Sequence, residues 1–170
     1  VTLVLGPVGI KPQEKSITIV PVKSAAEMKE ASLAAFATCD IAILAAAVAD
    51  FTPETTSATK VKRGDADLVI RLKPTEDIAA YLGSIKKEGQ FLAGFALETD
   101  DEIANARGKM QRKNLDMIIL NSLRDEGAGF GHDTNSITII DRSDNIDKFE
   151  LKSKDEVASD ILNRIVSLTR

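Results

Sequence analysis

The stretch 41–48 (IAILAAAV) constrains this chain more than any other. A short, unbroken apolar run bounded by turn residues fits a parallel strand covered on both faces, because alternation disappears when both faces are buried. The run ends in three alanines and Val48 and is followed by Ala49, Asp50 and Phe51. Small side chains at a strand end let a ligand lie against backbone N–H and C=O groups. Asp50 then falls just past the carboxyl end of the strand, where open α/β sheets bind ligands. Alanine-rich strand ends also occur where a helix packs closely, so the pattern leaves both readings open.

The segment behind it has no apolar period, and it ends in the cations Lys60, Lys62 and Arg63. A long loop inside a compact domain is commonly functional. Residues 52–63 read as a mobile flap that carries cations toward a phosphate. Its first part, 52–59, lacks apolar anchors and is expected to be poorly ordered without ligand. The ordinary alternative is a surface loop with solvated lysines.

The rest of the chain alternates strands with helices. Residues 1–5 form a strand stopped by Gly6-Pro7, and 17–22 form a second. Ser24 and Glu27 make a capping box for a helix to about Ala37, with Met28, Ala31 and Ala35 on one face. Residues 68–72 (LVIRL) read as a strand, and Thr75 caps a helix over roughly 76–88. Residues 91–95 form a strand in which Gly94 permits a close approach. Thr99 with Glu102 is a second capping box, 117–120 a strand, and 124–133 a Gly-rich loop. Residues 137–140 and 149–151 make a hairpin, and Ser153 with Glu156 caps a last helix to about Leu168.

This order predicts an α/β, Rossmann-like fold: a mostly parallel sheet flanked by helices, with an antiparallel edge hairpin. A length of 170 residues suits a single domain. Nucleotide-binding folds of this type open with a Gly-rich βα unit. Val1 already stands inside a strand, so that unit is expected outside this chain.

Composition narrows the function. There is no apolar stretch of transmembrane length and no signal-peptide pattern, which points to a cytoplasmic protein with no membrane partner. A net charge of −4 speaks against a nucleic-acid surface. The single Cys39 excludes an internal disulfide and a cysteine metal cluster, and beside a predicted strand it reads as a buried, inert thiol. His132, the only histidine, lies in the Gly-rich turn and gives little support to a Ser-His-Asp triad.

The carboxyl edge of the predicted sheet collects Ala46, Asp50, Gly94, Phe95 and Asn121. Near it stand Lys60 and Lys62 on the flap, and Lys109 and Lys113 at i, i+4 on one helix face. A lysine is a point charge suited to phosphate oxygens. A solvated face is the default for such a helical pair.

The motifs AAAVADF, KVKR, KPTEDI, AGFALET, A-R-x-K-x-x-x-K-N-L-D and G-F-G-x-D-x-N, in this order, resemble those of bacterial phosphopantothenoylcysteine synthetase. The similarity runs over nearly the whole chain. Two departures stand out: Glu76 precedes Asp77-Ile78 where the family more often has Pro, and Leu5 stands where Ser is usual. The resemblance implies activation of 4'-phosphopantothenate by CTP to an acyl-cytidylate, with Mg2+ accompanying the triphosphate. Cysteine then attacks the acyl carbon and CMP leaves. Carried over by position, Leu44, Ala45, Ala46 and Asp50 would sit on the nucleotide. Glu76, Asp77, Ile78, Ala79 and Phe95 would line the nucleoside pocket, and Lys109 and Lys113 would hold the triphosphate. Lys60 would close over the reacting phosphates as the catalytic residue. No side chain is assigned as a metal ligand. The resemblance also implies a homodimer, and a fused or associated flavin decarboxylase whose FMN would lie outside this chain.

Other classes fare worse. A short-chain dehydrogenase needs Tyr with Lys four residues on, and Tyr81 is followed by Ile85; the Gly-rich dinucleotide fingerprint and the P-loop are absent too. A nucleotide-binding or dimerisation fragment, inactive without the first βα unit, remains the non-enzyme reading.

Overall fold

The computed structural model describes residues 1–9, 11–63, 67–122 and 132–170. The chain divides into two compact units, Val1–Ala35 with Ala46–Ile78, and Phe36–Ala45 with Ala79–Arg170.

In the first unit, β1 (Thr2–Leu5) pairs in parallel with β2 (Thr18–Pro21), and α1 (Ala25–Phe36) follows, its last residue belonging to the second unit. Its capping box forms as predicted: Glu27 N donates to Ser24 Oγ at 3.2 Å and Ser24 N to Glu27 Oε2 at 3.3 Å. A short antiparallel pair, β4 (Phe51–Pro53) and β5 (Leu72–Pro74), completes the unit.

The second unit holds β3 (Ile41–Leu44), α2 (Ile78–Ile85, entered from the first unit), β6 (Phe91–Glu98), α3 (Glu102–Arg112), β7 (Met117–Ser122), β8 (Thr134–Asp141), β9 (Ile146–Ser153) and α4 (Lys154–Leu168). Its sheet has the order β3-β6-β7-β8-β9. The first two pairings are parallel and the last two antiparallel, so the expected α/β mixed sheet with a closing hairpin is present.

The apolar runs of β6 and β7 are buried on both faces, as parallel central strands require. One face carries Phe91, Ala93, Met117, Ile119, Ile137 and Ile139 against Val157, Ile161 and Ile165 of α4. Those three α4 residues recur at i, i+4, one stripe of a helix. The opposite face meets α3, whose Ala106 and Met110 are buried. Ser153 and Glu156 form both halves of the capping box that opens α4.

Several expectations are corrected. Residues 41–48 do not form a strand covered on both faces. β3 stops at Leu44, pairs among the described residues with β6 alone, and leaves Ile41 and Ile43 about 40% exposed (42% and 40%). An apolar run records hydrophobicity but not how many neighbours cover it. The strand expected at 68–72 is displaced: pairing begins at Leu72, and Leu68, Val69 and Ile70 are exposed. The flap is not free of regular structure at its start, because residues 51–53 pair with β5 and Glu54 N donates to Arg71 O at 2.9 Å. The Thr99–Glu102 box does not form. Asp101 is the N-cap of α3, in a left-handed conformation (φ 44°) with no side-chain cap, while Thr99 Oγ1 donates to Asp100 Oδ2. Most of the expected Gly-rich loop at 124–133 lies outside the described residues.

Candidate active site

In the first unit, two loops carry Ala46 and Asp50 on one side and Glu76 and Asp77 on the other, the second leading into Ile78 at the start of α2. The β4–β5 pairing brings the loops together, and Thr75 ties them. Its N–H donates to Asp50 O at 2.9 Å, and its hydroxyl to Ala49 O at 2.6 Å. The expectation that Thr75 caps a helix from 76 is therefore corrected: its hydroxyl is used across the loops, and α2 begins at Ile78 and ends at Ile85. Ile78 is buried. Glu76 is paired with Lys29 of α1, with its own side chain largely exposed. Lys60 and Lys62 are exposed, and the turn before Lys60 is closed by Ser57, whose hydroxyl donates to Thr59 O at 2.7 Å.

In the second unit, Leu44 pairs with Gly94, so Ala45 leaves the sheet level with Phe95. The side chain that uses the missing Cβ of Gly94 is Leu115: an added Cβ would stand 3.0 Å from its Cδ1. Phe95 packs on the α4 side of the sheet. Side chains alternate along a strand, so Glu98, the last residue of β6, belongs to the opposite, α3 side. There Lys109 Nζ reaches Glu98 Oε1 at 2.6 Å. A helix side chain leans toward the helix N-terminus, which is how a residue near the end of α3 returns to the carboxyl end of β6. Lys109 is thus in an ion pair, not on a solvated face. Lys113 is the C-cap residue, one turn further along. The chain behind it closes a Schellman motif: Asn114 takes φ 51°, Asn114 N donates to Gln111 O at 3.2 Å and Leu115 N to Met110 O at 3.0 Å.

Asn121 is engaged as well, its Oδ1 accepting from Nδ2 of the buried Asn135 at 3.0 Å. Ala79 lies in the first turn of α2. Cys39 is half-buried, not fully buried; burial, partly offset by a backbone hydrogen bond and reinforced by Asp40, pushes its thiol above the usual range, which disfavours a reactive thiolate.

The residues singled out from the sequence are therefore shared between the units: Ala46, Asp50, Lys60, Glu76, Asp77 and Ile78 in the first, Leu44, Ala45, Ala79, Phe95, Lys109 and Lys113 in the second. Glu98 and Thr75 went unassigned to the site. No spacing signals the Glu98–Lys109 contact, because it depends on a helix returning over its own strand.

A family model described as the DNA/pantothenate metabolism flavoprotein C-terminal domain matches residues 1–168. A cysteine/cysteine sulfinic acid decarboxylase of an unknown prokaryotic organism is 68% identical over 168 residues, covering 99% of this chain and 47% of that protein. The coenzyme A biosynthesis bifunctional protein CoaBC of Bacillus subtilis is 43% identical over 170 residues, covering 100% of this chain and 42% of that protein. The chain thus spans less than half the length of these curated relatives. The crystal structure of the C-terminal domain of a CoaBC superposes with a TM-score of 0.79 at 35% identity, covering 98% of this chain and 75% of that one. The sheet order, the helices that flank it and the reach of these matches lead to one assignment: the chain belongs to the DNA/pantothenate metabolism flavoprotein C-terminal domain family, shared with the C-terminal domain of CoaBC.

Proposed function

We propose that this chain is a nucleotide-binding synthetase domain that joins 4'-phosphopantothenate to cysteine at the expense of CTP. The observation that carries the reading is Lys109, whose ammonium stands at the carboxyl end of central strand β6 in a chain of this family. A phosphopantothenate carboxylate oxygen attacks the α-phosphorus of CTP and pyrophosphate leaves. The cysteine amine then attacks the acyl carbon, CMP leaves and the amine gives up a proton. Neither step needs a covalent protein intermediate, so the protein acts by positioning and by stabilising charge. Lys109 and Lys113 hold the triphosphate, the Ala46–Asp50 and Glu76–Ala79 segments and Phe95 hold the nucleoside, and Lys60 closes over the reacting phosphates. Mg2+ enters with the nucleotide.

The working form is a homodimer. Phe51 of β4, Leu72 of β5 and, between the two strands, Val61, Leu68, Val69 and Ile70 are exposed, apolar side chains that a second copy would cover. Among the described residues no helix is long and apolar enough to cross a membrane.

The test is pyrophosphate and CMP release by the full-length protein given CTP, 4'-phosphopantothenate and cysteine, with ATP as the control. CTP-dependent release of both supports the reading; no release with any nucleotide sinks it. The 68% identity to a protein named a cysteine/cysteine sulfinic acid decarboxylase supports a second reading, in which this chain is one part of a decarboxylase acting on cysteine. CO2 release from cysteine without CTP separates the two.

A further inference from the structure

We propose that Glu98 is an internal counter-ion that parks the Lys109 ammonium at the carboxyl end of β6 and competes with an incoming triphosphate for it. The proposal rests on the reading of Lys109 as a triphosphate ligand, and it gives that ligand a control element.

Two carboxylates of the second unit show what sets Glu98 apart. Asp116, at the start of β7, accepts from Lys86 Nζ at 2.7 and 2.8 Å and from Leu92 N at 2.7 Å, and Arg142 Nε lies 2.9 Å from it. That carboxylate is locked by several donors and has a structural role. Glu98 is as deeply placed, with its side chain 13% exposed against 16% for Asp116. Yet among the described residues its buried Oε1 has no hydrogen-bond partner. Lys109 Nζ stands 2.6 Å from that oxygen, and this ion pair is the contact the structure gives it. The Lys109 side chain is 36% exposed, so the pair is open to solvent on the lysine side.

A polyanion arriving at this edge meets a lysine that already has a partner. To take the ammonium it must leave Glu98 with a buried negative charge that has lost its counter-ion. Both effects weaken anion binding, and both favour release of pyrophosphate after the first step. Glu98 is a positioning residue under this reading: it acts through Lys109 and need not touch the substrate.

The experiment is calorimetric titration of the full-length protein with inorganic tripolyphosphate, then with CTP. Glu98→Gln should tighten tripolyphosphate binding by about three- to tenfold, the scale of one nearby charge at a partly solvated site. The gain should be larger with Lys109 present than in a Lys109→Ala background, because the parked pair exists only in the first. Glu98→Asp, which keeps the charge, should not tighten binding. Equal or weaker binding by Glu98→Gln, an equal gain in both backgrounds, or tightening by Glu98→Asp would each overturn the proposal. If Lys109→Ala and Lys113→Ala both leave tripolyphosphate binding unchanged, the site reading itself fails, which is a different result. Should Glu98→Gln not fold, 15N spectra of the lysine ammonium groups give a second readout in the unmutated protein. The Lys109 signal, identified by its loss in Lys109→Ala, should move on adding tripolyphosphate. An unmoved signal, while Lys113→Ala still weakens binding, overturns the proposal.

Discussion

Gly83 of α2 lies directly on the Lys113 carbonyl: a Cβ at position 83 would stand 1.9 Å from that oxygen and 2.8 Å from its carbon. Asn114 Nδ2 returns a hydrogen bond to Gly83 O at 2.7 Å. The end of α3 that carries Lys113 is thus docked on α2 through a position where no side chain fits. A mid-helix glycine costs about 1 kcal/mol relative to alanine, and here close packing offsets that cost.

Gly83→Ala should therefore destabilise the protein by about 1–3 kcal/mol, despite the better helix propensity of alanine. It should also weaken CTP binding, since the backbone at Lys113 must retreat. Urea unfolding and calorimetry check both. A variant as stable as the parent would show that the two helices are not in contact in solution.

Thr75→Val keeps the shape of the side chain and removes the donor to Ala49 O. The expected loss is about 1 kcal/mol of stability, the net worth of one such hydrogen bond. Because Thr75 ties the two loops that carry Asp50 and Glu76, CTP affinity should fall several-fold while tripolyphosphate affinity holds. Equal losses for both ligands would mean that Thr75 does not shape the nucleoside part of the site.

Lys60→Ala and Lys113→Ala should differ in kind. Lys113 stands at a helix end; on the proposed reading it should be in place before the ligand arrives, and its loss should weaken CTP binding by about 1.5–3 kcal/mol, the worth of a hydrogen bond to a charged group. Lys60 is exposed on the flap and should matter mainly in the transition state, so its loss should lower kcat more than it weakens CTP binding. Lys60→Arg should rescue in part, since a planar fork is not a point charge. Single-turnover rates of acyl-cytidylate formation decide; a rate untouched by Lys60→Ala removes the flap from the mechanism.

The exposed apolar arm gives a prediction about assembly. Val69→Glu or Leu72→Glu places a charge on that surface and should convert a dimer to monomers in sedimentation equilibrium. Unchanged association would move the interface elsewhere.

Acid stability should turn on Asp141, which is 1% exposed. Burial is the largest influence on its carboxyl and pushes it up. Hydrogen bonds from Asn145 and from the Ser143 N–H, with the Arg164 charge, outweigh burial and hold it below the ordinary value. A carboxyl depressed by folding contributes stability that is complete above its unfolded pKa of about 3.9 and is lost as pH falls through the lower folded value. Asp141→Asn should destabilise the protein at pH 7, and the gap to the parent should narrow as pH falls below about 4. Denaturation curves across pH 2–7 test this, and a gap constant with pH would remove Asp141 from the acid transition.

Much of the fold was legible because local rules wrote it. Ser24 with Glu27 and Ser153 with Glu156 could satisfy their helix ends from within four residues, and the structure uses both boxes. Short apolar runs between turn residues marked strands at 91–95 and 117–120, and β6 and β7 are there; the same rule put the doubly covered strand at 41–48, whereas β6 and β7 hold the centre of the sheet and β3 is half exposed. Thr99 with Glu102 has the same spacing as the two true boxes, yet the chain turns through a left-handed Asp101 and starts the helix there. No pairwise spacing distinguishes these cases.

The site divides the same way. Sequence alone determined which residue types were available: small residues after an apolar strand, an i, i+4 lysine pair, and an acidic loop end, in an order that resembles one family. Tertiary structure alone decided what those residues touch. That Thr75 joins two loops and does not cap a helix, that Leu115 occupies the space Gly94 leaves, and that Lys109 is held by Glu98 all depend on pairings between residues far apart in the chain. The physical reason is reach. Caps and periodic faces are settled within one or two turns of backbone. A lysine's charge is settled by whichever carboxylate the fold brings within a few ångströms, and at Glu98 that partner arrives only once α3 has folded back over β6.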